Sequence, residues 1–255
     1  MLNITERHQF ILQKLKEDGR VNIQELIDLM EVSGVTIRKD LKLLEEKQLL
    51  FRTRGGGSLN NPYAMERHIN EKELINASEK KKIARAAVTL VGENDSIIIG
   101  SGTTVFGLAH FLHPEHHLTV ITPAVKVTLE LCSRSNVDVL QLGGLVRPSS
   151  SSAAGSAAER ALEDISCGLL FLGVDGIDLE FGLSISNLSE ASLNQKMIES
   201  AQSVIVMADS SKFGKRGLGR VCDLELVDYI ITDDAVAPKI VKQLEEKGVK
   251  VIVAS

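Results

Sequence analysis

Apolar residues change their spacing along this chain, and the change divides it. Over the first sixty positions they recur at helical intervals in short runs. Phe10, Ile11, Leu12 and Leu15 form one stripe, with a polar cap candidate at Thr5 and a stop at Gly19. Leu26, Ile27 and Met30 form a second, capped by Asn22; Val35, Ile37, Leu41 and Leu44 form the apolar side of a third, capped by Ser33. Arg20-Val21 reads as short and extended, and 49–54 alternates weakly before Gly55-Gly56-Gly57, as a tight hairpin does. The pattern predicts three helices and a wing.

Residues 60–80 are polar and aperiodic until their end, so a linker is expected there, leading into a helix over about 78–91. From Asp95 the pattern changes again. Short apolar runs at 96–99, 118–121, 137–142, 168–173, 203–207, 229–232 and 249–253 read as strands, with helical segments near 104–112, 125–133, 156–165, 189–201 and 237–247. Continuous apolar strands alternating with amphipathic helices predict a mostly parallel sheet covered on both faces. The expected architecture is α/β: a winged helix-turn-helix domain (1–58), a linker (59–77) and a larger doubly wound, mostly parallel α/β domain (78–255). The larger domain would also carry the oligomer contacts.

Composition adds little to this picture, and charge adds more. Apolar residues make up 44% and charged residues 25% of 255, an ordinary globular balance. The net charge is −5, yet residues 1–57 hold ten Lys and Arg against nine Asp and Glu, leaving −6 for the remainder. An acidic protein can still hold nucleic acid through a concentrated basic patch. No run approaches 18 apolar residues, so no membrane span is expected, and the first residues lack the features of a signal peptide. Cys132, Cys167 and Cys222 are widely spaced beside apolar segments, which predicts buried, reduced thiols and a cytoplasmic setting.

Glu31-Val32-Ser33 supplies the turn of a helix-turn-helix, and Thr36, Arg38 and Lys39 supply polar positions at the start of its second helix. Arg38 suits base edges or phosphate, and Lys39 and Lys42 suit phosphate. Arg52 and Arg54 flank the wing, whose glycines, Gly55 and Gly56 among them, permit close backbone approach to DNA. The same pattern also describes an ordinary solvated helix face, with Asp40, Glu45 and Glu46 among its charges.

The second half places glycine-rich corners at the ends of its expected strands. Gly100-Ser-Gly102-Thr103-Thr104 leaves a strand and opens a helix, where backbone N–H groups and two hydroxyls make a natural phosphate cradle. It also reads as a tight strand-to-helix turn, and it matches neither GxGxxG nor a Walker A loop. Arg147 follows a second corner, and the serine-rich run after it is expected to be a mobile loop. Asp175, Glu190, Asp209 and Lys212 mark three more corners, and ligands of open α/β sheets bind outside such strand ends. His110, His113, His116 and His117 cluster in sequence, but Pro114 breaks the helix between them and no metal site is expected. No cofactor is expected either.

Here a resemblance becomes specific. Glu6, Arg7, Ile11, Leu12, Gly19, Val21, Glu25, Leu26, Val32, Ser33, Thr36 to Leu41, Arg52, Gly55 and Gly56 match the N-terminal signature of the DeoR family of bacterial transcriptional regulators. LGGLVR, FLGVDGI, GLSISNLSEASLNQKMIESA and VMADSSKFG resemble that family's effector domain. The resemblance implies a fold related to ribose-5-phosphate isomerase and a sensor of phosphorylated sugars or their breakdown products. Gly102, Thr103 and Thr104 would hold phosphate, and Arg147, Asp175, Glu190, Asp209 and Lys212 would line the sugar side. Ser33, Thr36, Arg38, Lys39, Lys42, Arg52, Arg54, Gly55 and Gly56 would meet DNA. The implied partners are a double-stranded DNA operator, a small phosphorylated effector and further copies of the chain in a dimer or tetramer. Four positions depart from the family's habit. Arg54 stands where His is frequent and Gly57 where Ala is. Gly100 replaces a frequent Asp, and Pro123 a frequent Asn, so the sugar side loses two polar side chains. The leading expectation is a non-enzymatic regulator, usually a repressor in this family. The alternatives are a sugar-phosphate isomerase with an appended DNA-binding module, and a protein-interaction adaptor.

Overall fold

Asn3 opens the first helix. Its side chain accepts from the Glu6 N–H at 3.0 Å, while the Glu6 carboxylate accepts from the Asn3 N–H at 2.8 Å. This reciprocal box needs a carboxylate three residues on, which Asn3 has and Thr5 lacks, so α1 runs Ile4–Asp18 and the expected Thr5 cap lies inside it. The computed structural model describes residues 3–47, 49–53, 55–58 and 68–255. They fall into two units, Met1–Met65 and Glu66–Ser255.

In the first unit α1 ends at Gly19 (φ +72°) and β1 (Arg20–Asn22) follows. Asn22 caps α2 (Ile23–Met30), which stops at a left-handed Glu31, and Ser33 caps α3 (Gly34–Glu46). β2 (Phe51–Thr53) and β3 (Gly56–Ser58) form the wing, and β1 joins them in the antiparallel order β1-β3-β2. Ile11, Leu15, Leu26, Met30, Ile37, Leu41 and Leu44 fill the core. Val35 does not belong to it. The buried stripe of α3 is Ile37, Asp40, Leu41 and Leu44, and Val35 lies two residues before its first member, on the opposite side of the helix.

The second unit begins with α4 (Ile69–Leu74) and α5 (Ala77–Val91). The stretch read as a linker therefore contains a helix, too short at six residues to register as a period. Then come β4 (Ser96–Ile99), α6 (Thr103–Phe111), β5 (Leu118–Thr122), α7 (Val125–Leu131) and β6 (Val137–Gln141). A hairpin of β7 (Leu145–Arg147) and β8 (Ser152–Ala154) precedes α8 (Ser156–Arg160). Next are β9 (Cys167–Gly173), β10 (Gly176–Asp178), β11 (Gly182–Ile185), α9 (Leu188–Glu199) and β12 (Ala201–Met207). The chain ends with β13 (Gly219–Cys222), β14 (Tyr229–Asp233), α10 (Pro238–Glu245) and β15 (Lys250–Ala254).

The seven runs read as strands all enter one sheet, in the order β15-β14-β12-β9-β4-β5-β6, with every pairing parallel. Alternate residues feed two cores. Ile97, Ile99, Val120, Phe171, Ile205 and Ile231 pack under α5, α6 and α7; Ile98, Ile121, Leu170, Leu172, Val206 and Ile230 pack under α8, α9 and α10. A second sheet, β10-β11-β13, was not expected, because strands of three or four residues leave no readable alternation. The serine-rich run expected to be mobile forms β8, with Ser152, Ala153 and Ala154 all buried. Among the cysteines Cys167 and Cys222 are buried, whereas Cys132 is exposed just past α7.

Strand order fixes where the chain can build a site. From β4 the chain moves outward to β5 and β6; from β9 it moves the other way to β12, β14 and β15. β4 and β9 are neighbours, so the connections leaving them diverge and open a crevice beyond their carboxyl ends.

Candidate functional site

The first candidate surface is the outer side of α3. Val35, Arg38, Lys39 and Lys42 are all exposed, at spacings of three, four and seven residues, and so form one stripe opposite the buried one. Lys42 also approaches Glu46 at 3.8 Å. The hydroxyls of Ser33 and Thr36 lie 2.9 Å apart, and Ser33 Oγ accepts from the Thr36 N–H at 3.2 Å, so both are engaged in starting the helix. Behind the stripe, buried Asp40 accepts from Arg7 Nε at 2.7 Å and Nη2 at 3.1 Å, with His8 Nε2 at 3.2 Å. This cluster ties α3 to α1.

In the wing, Arg52 is partly exposed, and its N–H donates to Glu45 Oε1 at 2.9 Å. Arg54 lies outside the described residues. Gly55 is exposed, but Gly56 and Gly57 are buried. A Cβ on Gly56 would stand 1.7 Å from the Val21 carbonyl oxygen, so this glycine serves the pairing of β3 with β1 and its backbone is covered. The expectation that Gly56 meets DNA is corrected accordingly.

The second surface lies at the strand ends. Gly102 (φ +126°) turns the chain from β4 into α6, with Thr103 half-buried and Thr104 buried in the first turn. Ser101 sits directly on β9, since a Cβ on Gly173 would come within 2.9 Å of its carbonyl oxygen. Two residues further, Asp175 Oδ2 accepts from the Ser186 N–H at 2.9 Å and its hydroxyl at 2.6 Å, while Oδ1 pairs with Lys72 Nζ at 2.9 Å. Burial opposes ionisation of Asp175, but Lys72, Ser186 and Lys212 outweigh it and hold the carboxyl at about 2.

Asp209, buried past β12, accepts from Asn76 Nδ2 at 2.9 Å and from the Ser211 N–H at 3.1 Å. Its pKa is lowered: burial works against the charge, and Ser211, Lys212 and Asn76 overcome it. Arg147 and Glu190 also come together, at 3.2 Å, and Glu190 further accepts from Ser150 Oγ at 2.5 Å. The Ile69 N–H donates to the Ser149 carbonyl at 2.7 Å, so α4 reaches this cluster as well as Asp175. The structure thus gathers Asp175, Asp209 and Lys212 into one group and Arg147 with Glu190 into another. The Gly102–Thr104 turn abuts the first through β9.

Two family models match the chain: a DeoR-like helix-turn-helix domain over residues 7–63, and a DeoR C-terminal sensor domain over 75–234. The chain belongs to the DeoR family. It is 39% identical over 248 residues to the uncharacterized HTH-type transcriptional regulator YulB of Bacillus subtilis, covering 97% of this chain and 96% of that one. It is 36% identical over 250 residues to a putative aga operon transcriptional repressor of Escherichia coli O157:H7, covering 97% and 93%. Among solved structures it is similar to ribose 5-phosphate isomerase A from Methanocaldococcus jannaschii, at 17% identity, a TM-score of 0.41, and coverage of 54% and 55%. This DeoR-family chain is a transcriptional regulator with a DNA-binding helix-turn-helix domain, rather than an enzyme. No helix among its described residues is long and apolar enough to cross a membrane.

Residue reading missed the lysines that this DeoR-family chain brings in from α4 and α5. Lys72 pairs with Asp175, and Lys80 Nζ donates to the Lys72 carbonyl from a nearly buried position. One signal was available: Lys80 continues the buried stripe Ile83, Ala84, Ala87 and Val91 of α5, where a charge is out of place unless it has work to do. Burial lowers its pKa to about 8, helped by the charges of Lys212 and Lys72 and resisted by Asp209 and Glu73. Two of the clustered histidines pair with carboxylates: His110 meets Glu130 at 3.1 Å and His117 meets Asp138 at 3.0 Å. No group of three metal-ligating side chains occurs among the described residues.

Proposed function

We propose that this regulator is a repressor that holds a double-stranded DNA operator through α3 and the wing. A phosphorylated sugar or related metabolite then releases it by binding at the ends of β4, β9 and β12. The observation that carries the sensing half is electrostatic. Lys72, Lys80 and Lys212 cluster with Asp175 and Asp209, and the neighbouring Glu73 is paired with Lys126, so four cations meet three carboxylates. The first turn of α6, which follows Ser101 on β9, has no side-chain cap and suits an anion. In this reading Gly102, Thr103 and Thr104 take the phosphate with help from Lys80 and Lys212. Asp175, Asp209, Arg147 and Glu190 take the hydroxyl side, together with Lys72. Gly100 adds no side chain to that side: a Cβ there would already lie 3.3 Å from Leu172 Cδ1 and from the Phe171 carbonyl oxygen.

On the DNA side, Arg38, Lys39 and Lys42 make the contacts, with Arg52, Arg54 and Gly55 at the wing. Ser33 and Thr36 set the start of the helix. A dimer or tetramer of the chain would present paired helices to spaced half-sites. Sensor and reader communicate only if the ligand binds the DNA-competent and incompetent arrangements with different affinity.

The experiment is a duplex selected by the full chain from a random pool, challenged with phosphorylated sugars and their unphosphorylated counterparts. Release by a phosphorylated member alone is the expected result; indifference to every phosphorylated member would sink the sensing half. Replacing Arg38 by Ala should weaken binding to the selected duplex by about 1–3 kcal/mol, with little effect on random DNA if the contact is to a base. A phosphate monoester keeps its second negative charge from pH 7 to 9, whereas Lys80 loses its proton over that range. The releasing concentration should therefore rise by up to about tenfold between those pH values, and Lys80→Arg should flatten the profile. Equal pH dependence in both proteins would remove Lys80 from the site.

A further inference from the structure

Val35 is 75% exposed in the first turn of α3 and is the one exposed apolar residue of that helix. A lone surface valine needs no explanation by itself. Its position gives it meaning. The first turn of a recognition helix is the part that reaches base edges, and Val35 shares its stripe with Arg38 and Lys39 at spacings of three and four. Ile37, Leu41 and Leu44 hold the helix to its core without it.

The guanidinium of Arg38 lies back toward the start of the helix. A Cβ on Gly34 would stand 3.2 Å from Arg38 Nη1 and 3.2 Å from Ile27 Cδ1, so the absent side chain leaves room for it. Arg38 and Val35 therefore offer a planar cation and an isopropyl group side by side on the same end of the helix. In the major groove the cation matches the O6 and N7 acceptors of guanine, and among the four bases only thymine displays a methyl group there. The polar members of the stripe end in charged groups, and only Val35 ends in methyls. Thr36 has a methyl of its own, but it is half-buried and its hydroxyl is held by Ser33.

We propose that Val35 reads a thymine 5-methyl group, and so sets base preference at the position next to the one taken by Arg38. The proposal rests on the reading of α3 as the DNA-recognition helix.

The test uses the full chain and a duplex it has selected from a random pool, with each thymine replaced in turn by deoxyuridine. That exchange removes only the methyl and leaves pairing intact. One thymine in each half-site should lose about fourfold in affinity on replacement, the worth of one buried methyl group. Val35→Ala should weaken binding to the thymine duplex by a similar factor and bind the uracil duplex equally well; Val35→Ser should do the same. Both should melt as the parent does, because the side chain is exposed. Selected DNA that is indifferent to every thymine methyl overturns the role of Val35 alone. A thymine preference that persists in Val35→Ala assigns the methyl to another residue and also overturns it. A chain that enriches no sequence overturns the DNA reading itself.

Discussion

Replacing Asp40 by Ala is expected to destabilise the N-terminal unit by about 2–3 kcal/mol and to abolish specific DNA binding. Asp40 is buried on the inner stripe of α3, where its carboxylate takes two hydrogen bonds from the Arg7 guanidinium and one contact from His8. Truncation removes the carboxylate that both Arg7 and His8 contact, in a site too enclosed to hydrate the guanidinium well. A lost partner in such a pair costs more than the pair contributes, because the survivor keeps its desolvation penalty. The loss falls at or just below the foot of the usual range, about 3–5 kcal/mol, since Arg7 and His8 retain an edge in solvent. For a unit of this size the melting temperature should fall by about 10–15 °C, and amide exchange across 3–58 should report it. The C-terminal unit should protect its amides as before. Asp40→Asn keeps the shape and one acceptor, and should lose less. An Asp40→Ala protein with unchanged exchange in α1 and α3 would show that the cluster does not hold the helix.

That prediction came from the structure, since residue patterns placed Asp40 among the charges of a solvated face. The reason is general. Sequence periodicity reveals which stripe is apolar, and a carboxylate on the buried stripe looks like noise until its partners are known. Arg7 and His8 lie more than thirty residues away, on another helix. Lys80 is hidden for the same reason, as a cation on the buried stripe of α5 whose surroundings come from α4 and the end of β12. What was legible was whatever repeats locally. Seven runs of four to six residues became seven strands of one sheet, because burial on both faces leaves no alternative to continuous hydrophobicity. Corners at the strand ends were also legible, since glycine and polar residues must stand where chain direction changes. Their grouping was not: that Asp175 and Asp209 share Lys212 while Arg147 turns to Glu190 follows from strand order and from α4. A six-residue helix does not announce itself in a polar stretch.

The glycines of the wing show how one residue type can mislead. A run of three invites the reading that backbone must come close to something, which is right, but the partner need not be phosphate. For Gly56 it is the chain itself. β3 lies between β1 and β2, with Gly56 opposite Asn22 on one side and Thr53 on the other. A methyl group added at Gly56 would overlap the Val21 carbonyl oxygen at 1.7 Å, and no side-chain rotation can relieve a clash with backbone. The strands must separate by more than an ångström, which breaks the β1–β3 pairing and uncovers Val21 and Leu50 beside Gly57. Gly56→Ala is therefore expected to cost about 3 kcal/mol or more, at the upper end for added core volume, and to lower the melting temperature by about 15 °C. Gly55→Ala supplies the contrast. Gly55 is exposed, its added Cβ meets nothing nearer than Asn22 Nδ2 at 3.9 Å, and stability should hardly change. If Gly55 approaches a phosphate, that second variant loses DNA affinity while keeping its fold. If both variants keep their stability and lose DNA binding alike, the wing glycines face DNA after all and the β1–β3 pairing is not what requires them.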